Sequence, residues 1–252
     1  SMTYSAAVYA DLDKPEALYD AQQRKYAAIA TRMDLQPGQH VLEIGCGWGG
    51  FAEYAAKVVG ARVTGVTISQ AQHDYAVARM QRAGLSHLVD IRLQDYRDIT
   101  EQFDRIASIE MFEAVGERYW PTYFNAVHDR LKPGGKAALQ IITIGEDHFE
   151  GYRKGADYIQ RYIFPGGMLP SPTRLQAEVE AAGLRFDSTQ SYGLHYARTL
   201  REWQVAFQAA WPDLKDGFDD RFKRMWEQYL WYCEAGFKVG TIDVVHVGIS
   251  KG

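Results

Sequence analysis

Between residues 40 and 108, four short apolar runs rich in β-branched residues alternate with stretches of helical character: His40–Ile44, Arg62–Thr67, 90–93 and 105–108. Strands separated in this way cannot pair as hairpins. They must lie parallel, with the intervening helices covering the sheet. A fifth run over residues 136–144 continues the series, and Arg185–Ser191 and 242–249 are expected to close the sheet. The pattern predicts a doubly wound, Rossmann-like α/β fold with a mostly parallel, seven-stranded sheet. Pro37-Gly38 and Lys132-Pro133-Gly134-Gly135 read as the turns that feed the first and fifth strands, because proline ends a preceding helix and glycine accepts positive φ.

At 252 residues the chain fits one domain, 1–252, large enough to bury most of its apolar surface and to carry insertions. Two stretches break the alternation: residues 145–183, rich in aromatics, glycine and proline, and residues 196–240, which read as helical. Long excursions of this kind usually cover a substrate. Phe222, Trp226, Tyr229, Cys233 and Phe237 recur at three- and four-residue steps, and Trp203, Phe207 and Trp211 at steps of four, so each helix has one apolar face. Such a face can pack on the core or line an apolar substrate channel, and the periodicity does not choose between them.

A net charge of −4 supplies no basic field to neutralise phosphates, which argues against a nucleic-acid substrate. Cys46 and Cys233 offer neither a disulfide framework nor metal-ligand spacing, so no metal is expected and the compartment reads as reducing and cytoplasmic. No apolar run is long enough to span a bilayer and no signal peptide is visible, so any membrane contact is expected to be peripheral, at the inner membrane. Ser1-Met2 reads as a tag remnant.

The strand ending in Glu43 runs into Gly45-Cys46-Gly47-Trp48-Gly49-Gly50 and then into a helix over residues 51–58, the layout of a nucleotide-binding turn. Dinucleotide enzymes place a carboxylate about twenty residues further on to hold the ribose. Here the second strand ends in Thr67-Ile68-Ser69, with Gln72 following, so neutral polar groups would hold it. The third strand ends in Leu93-Gln94-Asp95-Tyr96-Arg97-Asp98, where the Asp95 carboxylate can accept from an adenine amino group.

These residues resemble those of the cyclopropane-fatty-acyl-phospholipid synthases and the mycolic acid cyclopropane synthases. The likeness runs through Thr3-Tyr4-Ser5, the turn at residues 41–50, Gly65-Val66-Thr67-Ile68-Ser69, residues 93–98 and Met111-Phe112-Glu113-Ala114-Val115-Gly116. It continues in Tyr162-Ile163-Phe164-Pro165-Gly166-Gly167, Ala210-Trp211-Pro212 and Arg221-Phe222-Lys223-Arg224-Met225. The resemblance does not extend to the extra N-terminal domain of the bacterial phospholipid-modifying members, and a longer parent protein stays open. The resemblance implies the class I fold of the methyltransferases that use S-adenosylmethionine (SAM). Glu43 would belong to the cofactor site, where Gly45 and Gly47 would approach the amino acid part of SAM, Tyr4 and Ser5 its carboxylate, Thr67, Ser69 and Gln72 the ribose, and Gln94, Asp95 and Tyr96 the adenine.

The chemistry implied is attack of an alkene in an unsaturated lipid or fatty acyl chain on the sulfonium methyl, giving a carbocation that must lose a proton. That calls for a dry pocket that tolerates positive charge, to which aromatic faces are suited. The resemblance further implies a bound bicarbonate as base, held by a cysteine, a glutamate, a histidine and a tyrosine. Glu113 matches the glutamate and Tyr196 the tyrosine, but Ala6 stands for the cysteine and Gln140 for the histidine. The alanine side chain cannot donate, whereas the glutamine keeps a donor and an acceptor. Bicarbonate therefore stays open beside a base drawn from Glu113, Glu146, His148 or His195. Two other functions stay open as well: C- or N-methylation of a soluble small molecule, and SAM binding without catalysis.

Overall fold

The computed structural model describes residues 2–252, so Ser1 of the Ser1-Met2 pair lies outside the described residues. Strands β1 (His40–Ile44), β2 (Arg62–Thr67), β3 (Val89–Leu93), β4 (Phe103–Ile109), β5 (Leu131–Ile144), β6 (Arg185–Ser191) and β7 (Ile242–Ser250) form one sheet in the order β3-β2-β1-β4-β5-β7-β6. The first five pair in parallel, and β7 runs antiparallel between β5 and β6. This is the expected mostly parallel, doubly wound, seven-stranded sheet.

Both faces are covered, so the central strands are apolar on both sides. Leu42 and Ile44 of β1 enter one core with Trp120, Phe124 and Val127 of α4 (Trp120–Arg130) and Leu175 and Val179 of α7 (Pro172–Ala181). Val41 enters the opposite core with Tyr26 and Ile29 of α1 (Leu18–Arg32), Phe51 of α2 (Gly50–Tyr54), and Ala76 and Met80 of α3 (Gln70–Arg82). The helix expected over residues 51–58 is α2 followed by a wider π-helical turn over Ala55–Val59, ended by Gly60 at φ +77°. The turn expected at residues 132–135 lies inside β5. Pairing with β4 jumps there from Leu131 to Lys136 while Gly134 takes φ +73°.

Residues 145–183 hold α5 (Glu146–Lys154), α6 (Tyr158–Tyr162) and α7. α7 is part of the main core, Phe149 of α5 and Met168 enter the same core, and Tyr158 and Ile159 of α6 pack against the cluster of Tyr196 and Leu230. Residues 196–240 fall in α8 (Gly193–Leu214) and α9 (Asp220–Val239), which pack on each other. No helix among the described residues is long and apolar enough to cross a membrane. From β1 the chain moves outward to β2 and β3 and then returns to lay β4 on the other side, so a crevice opens beyond the tips of β1 and β4.

Candidate active site

At the tip of β1, the N–H groups of Gly45 and Cys46 both donate to the Val66 carbonyl at 3.0 Å, turning the chain away from the sheet. Gly45 adopts φ +78°, and a Cβ there would lie 2.5 Å from Met111 Cγ. Gly47, at φ +51°, lies under the Tyr4 ring, 3.4 Å from where its Cβ would be. The turn thus presents bare backbone to a cleft walled by Tyr4, Ser5, Glu43, Gly45 and Gly47, and also by Glu110.

Several buried charges surround this cleft. Burial pushes the Glu43 carboxyl up to about 8, opposed by the charge of Lys25, and its Oε2 has no partner. Burial also pulls the Lys25 ammonium down to about 7, opposed by Glu110 and Glu43. Lys25 donates to Ser5 Oγ at 2.7 Å. Tyr4 is tied to the tip of β2: Gln72 Nε2 donates to its hydroxyl at 3.2 Å, and Thr67 Oγ1 donates to Gln72 Oε1 at 2.9 Å. Ser69 is the N-cap of α3 and accepts from the Gln72 N–H.

Gln94, Asp95 and Tyr96 are not brought to the cleft wall. Gln94 donates its N–H to the Thr67 carbonyl and its side-chain amide to the Asp98 carbonyl. Asp95 is held by Arg97, whose backbone N–H, Nε and guanidinium nitrogen all reach its carboxylate and keep its pKa low. Tyr96 packs on Tyr123 with ring centroids 5.6 Å apart.

The carboxylate at the centre of the expected anion site is that of Glu110, which the sequence did not single out. Its Oε1 accepts from the Ala6 N–H at 2.8 Å and from Gln140 Nε2 at 2.5 Å, and its Oε2 accepts from the Tyr196 hydroxyl at 2.7 Å. Residue 6 does donate after all, through its backbone. Glu110 has φ +50°, a left-handed conformation that costs an L-residue about 1–2 kcal/mol. Burial raises its pKa, and the donors and Lys25 oppose the rise.

Glu113 stands beside this cluster, its Oε1 accepting from the Ile142 N–H at 2.5 Å and its Oε2 unpartnered. Burial and then the Glu110 charge push it up to about 8. Gln140 is held from behind by His246 Nε2, 2.7 Å from its Oε1, and burial lowers the His246 pKa to about 3, keeping the ring neutral.

Three other base candidates are placed elsewhere. His195 uses Nδ1 to accept the Tyr9 N–H at 3.0 Å, so that nitrogen anchors the N-terminal segment. Glu146 and His148 are exposed on α5, and Glu146 accepts from the Thr173 N–H, tying α5 to α7.

Tyr196 also belongs to an aromatic cluster between α8 and α9. Its ring lies 4.5 Å from Phe237 and 6.1 Å from Trp203, while Tyr229 contacts Trp226 at 5.1 Å and Phe164 at 6.0 Å. The predicted apolar faces therefore meet each other, with the Glu110 carboxylate at one end.

The chain is similar to known proteins in sequence and in fold. Residues 1–247 match the mycolic acid cyclopropane synthetase family. The chain is 43% identical to the tuberculostearic acid methyltransferase of Mycobacterium tuberculosis, covering 97% of this chain and 58% of that protein. It is 41% identical to the cyclopropane-fatty-acyl-phospholipid synthase of Escherichia coli, covering 100% and 63%. It thus spans roughly three fifths of the length of these relatives. Among solved structures, the mycolic acid cyclopropane synthase CmaA1 complexed with SAH and CTAB superposes with a TM-score of 0.91 at 29% identity, covering 99% of this chain and 90% of that one. The chain belongs to the mycolic acid cyclopropane synthetase family.

Proposed function

We propose that the chain transfers the methyl group of SAM to the double bond of an unsaturated fatty acyl chain. One observation carries the reading: the Glu110 carboxylate lies between the glycine-walled cleft and the aromatic cluster, touching the second through Tyr196. A group there can act on an apolar substrate at the point where it meets the cofactor.

The cleft fits SAM. Gly45 and Gly47 leave the space a side chain would fill, and the buried Glu43 Oε2 is an acceptor without a donor, suited to the ammonium of an amino acid moiety. Tyr4, Ser5, Thr67, Ser69 and Gln72 complete the cradle, and Gln94, Asp95 and Tyr96 take the adenine once the Arg97 pair opens. When bound, SAM supplies an electrophilic methyl on a sulfonium sulfur. The chain keeps water from the positive charge that develops on the acyl chain and faces that charge with aromatic rings. The first part of residues 145–183, together with residues 196–240, forms the substrate walls. The relatives named for tuberculostearic acid and for cyclopropane fatty acyl phospholipids, and the neighbour holding the long-chain amphiphile CTAB, support an acyl substrate.

Incubation with methyl-labelled SAM and phospholipids carrying monounsaturated chains, followed by mass spectrometry of the acyl chains, tests this. Label in the acyl chain is expected. Label found only in a soluble amine would overturn it.

A further inference from the structure

Glu110 is placed as no solvent-facing turn residue would be. Its backbone is left-handed, its carboxylate takes donors from three distant parts of the chain, and it forms part of the wall of the glycine-lined cleft. We propose that Glu110 is the general base of the reaction, so that the chain supplies from its own residues the anion that the family resemblance assigns to captured bicarbonate.

This assignment rests on the acyl-chain reading above. After the methyl has passed to the alkene and the sulfonium has become a neutral thioether, the acyl chain carries one positive charge. A C–H bond adjacent to the cationic centre, or one of the new methyl group, breaks. Its electron pair forms a C=C bond or closes a three-membered ring, and the proton goes to a Glu110 carboxylate oxygen. A cation and a carboxylate become a neutral lipid and a neutral carboxylic acid.

The neighbouring Glu113 is the weaker candidate on geometry. It does not form part of the cleft wall, and its single hydrogen bond is from the Ile142 backbone. Two adjacent carboxyl groups share one negative charge more readily than they carry two, and the one with three donors keeps it. Gln140 and His246 act as positioning residues. Because the Gln140 carbonyl oxygen can only accept, the neutral His246 ring must present an N–H to it, and this fixes the amide with its NH₂ toward Glu110.

The test uses Glu110→Gln, which keeps the shape, and Glu110→Gly, which suits the positive φ and opens a carboxylate-sized space. Both are assayed on labelled acyl transfer, with melting and SAH binding confirming the fold. Both variants are expected to lose roughly a hundredfold in turnover. Millimolar bicarbonate or formate is expected to restore at least about tenfold to Glu110→Gly, and to leave Glu110→Gln and the wild type unchanged. The assignment is overturned if either variant keeps more than about a tenth of the activity, if bicarbonate accelerates the wild type, or if folded Glu110→Gly responds to neither anion. Wild-type protein that labels no lipid would instead bring down the acyl reading, and this assignment with it.

Discussion

The tips of β1 and β4 lie side by side, and each combines a glutamate with a left-handed residue. At β1 the two features are separate: Glu43 sits in the strand and Gly45 makes the turn at φ +78°. At β4 they are one residue, Glu110 at φ +50°. The hydrogen bonding differs in the same sense. Glu43 keeps a buried acceptor with no donor, whereas Glu110 is bound by a backbone N–H, an amide and a phenol. An acceptor left open in the interior suits a ligand that brings its own donor. A carboxylate already encircled by donors is fixed in place and suits one small incoming group, a proton.

The largest effect should come from erasing the β1 solution. Gly45→Ala brings a Cβ to 2.5 Å from Met111 Cγ at φ +78°, and should destabilise the fold by about 2–4 kcal/mol in denaturant titrations. A loss under about 1 kcal/mol would show that β1 does not depend on glycine there.

Next is Glu43→Gln, expected to weaken SAH binding about tenfold by calorimetry. An unchanged affinity would remove Glu43 from the cofactor site. The same variant has a pH signature. Glu43 titrates near 8 when folded against about 4.5 when unfolded, so the native chain holds a proton that the unfolded chain releases. Its contribution is present below pH 4.5 and is lost as pH rises through 8. Glu43→Gln should therefore flatten the decline of stability across that window by up to about 1 kcal/mol per pH unit, with Lys25 opposing it near the top.

A smaller change is expected at the β4 site from His246→Phe. Freed from behind, the Gln140 amide can turn its oxygen toward Glu110, which should lower kcat about fivefold with KM unchanged. A KM change alone would place His246 in substrate binding. The smallest is Ser69→Ala, which removes an N-cap of α3 and one polar group of the cradle, and should cost about 0.5–1 kcal/mol of stability and weaken SAH binding about threefold. An unchanged affinity would take Ser69 out of the cradle and leave it a helix cap alone.

The β1 tip is readable from sequence and the β4 tip is not. β1 and β2 begin and end where their apolar runs do, because parallel strands buried on both faces leave a dense local signature. Gly45 and Gly47 advertise positive φ by their chemistry. Glu110 carries no such mark: a glutamate at a strand end reads as a solvated turn, and nothing in Ile109-Glu110-Met111 announces left-handed backbone. The hint lies in two glutamates three residues apart amid apolar neighbours. Ala6 is misjudged from its side chain because its donor is the backbone N–H, which every residue but proline has. The Asp95 side chain reads as a ligand group, while Arg97, two residues on, already holds it.

The hydrogen bonds on Glu110 also bear on how the protein is made. They join residues 104 and 86 positions apart in sequence, and the His246–Gln140 contact behind them spans 106. No local hairpin or helix can assemble such a cluster. Its closure must await the docking of the first residues, of α8 and of the last strand, contacts of the kind whose loop-closure entropy makes them late. In refolding, helical signal should return before turnover does, so that enzymatic activity reports the finished molecule.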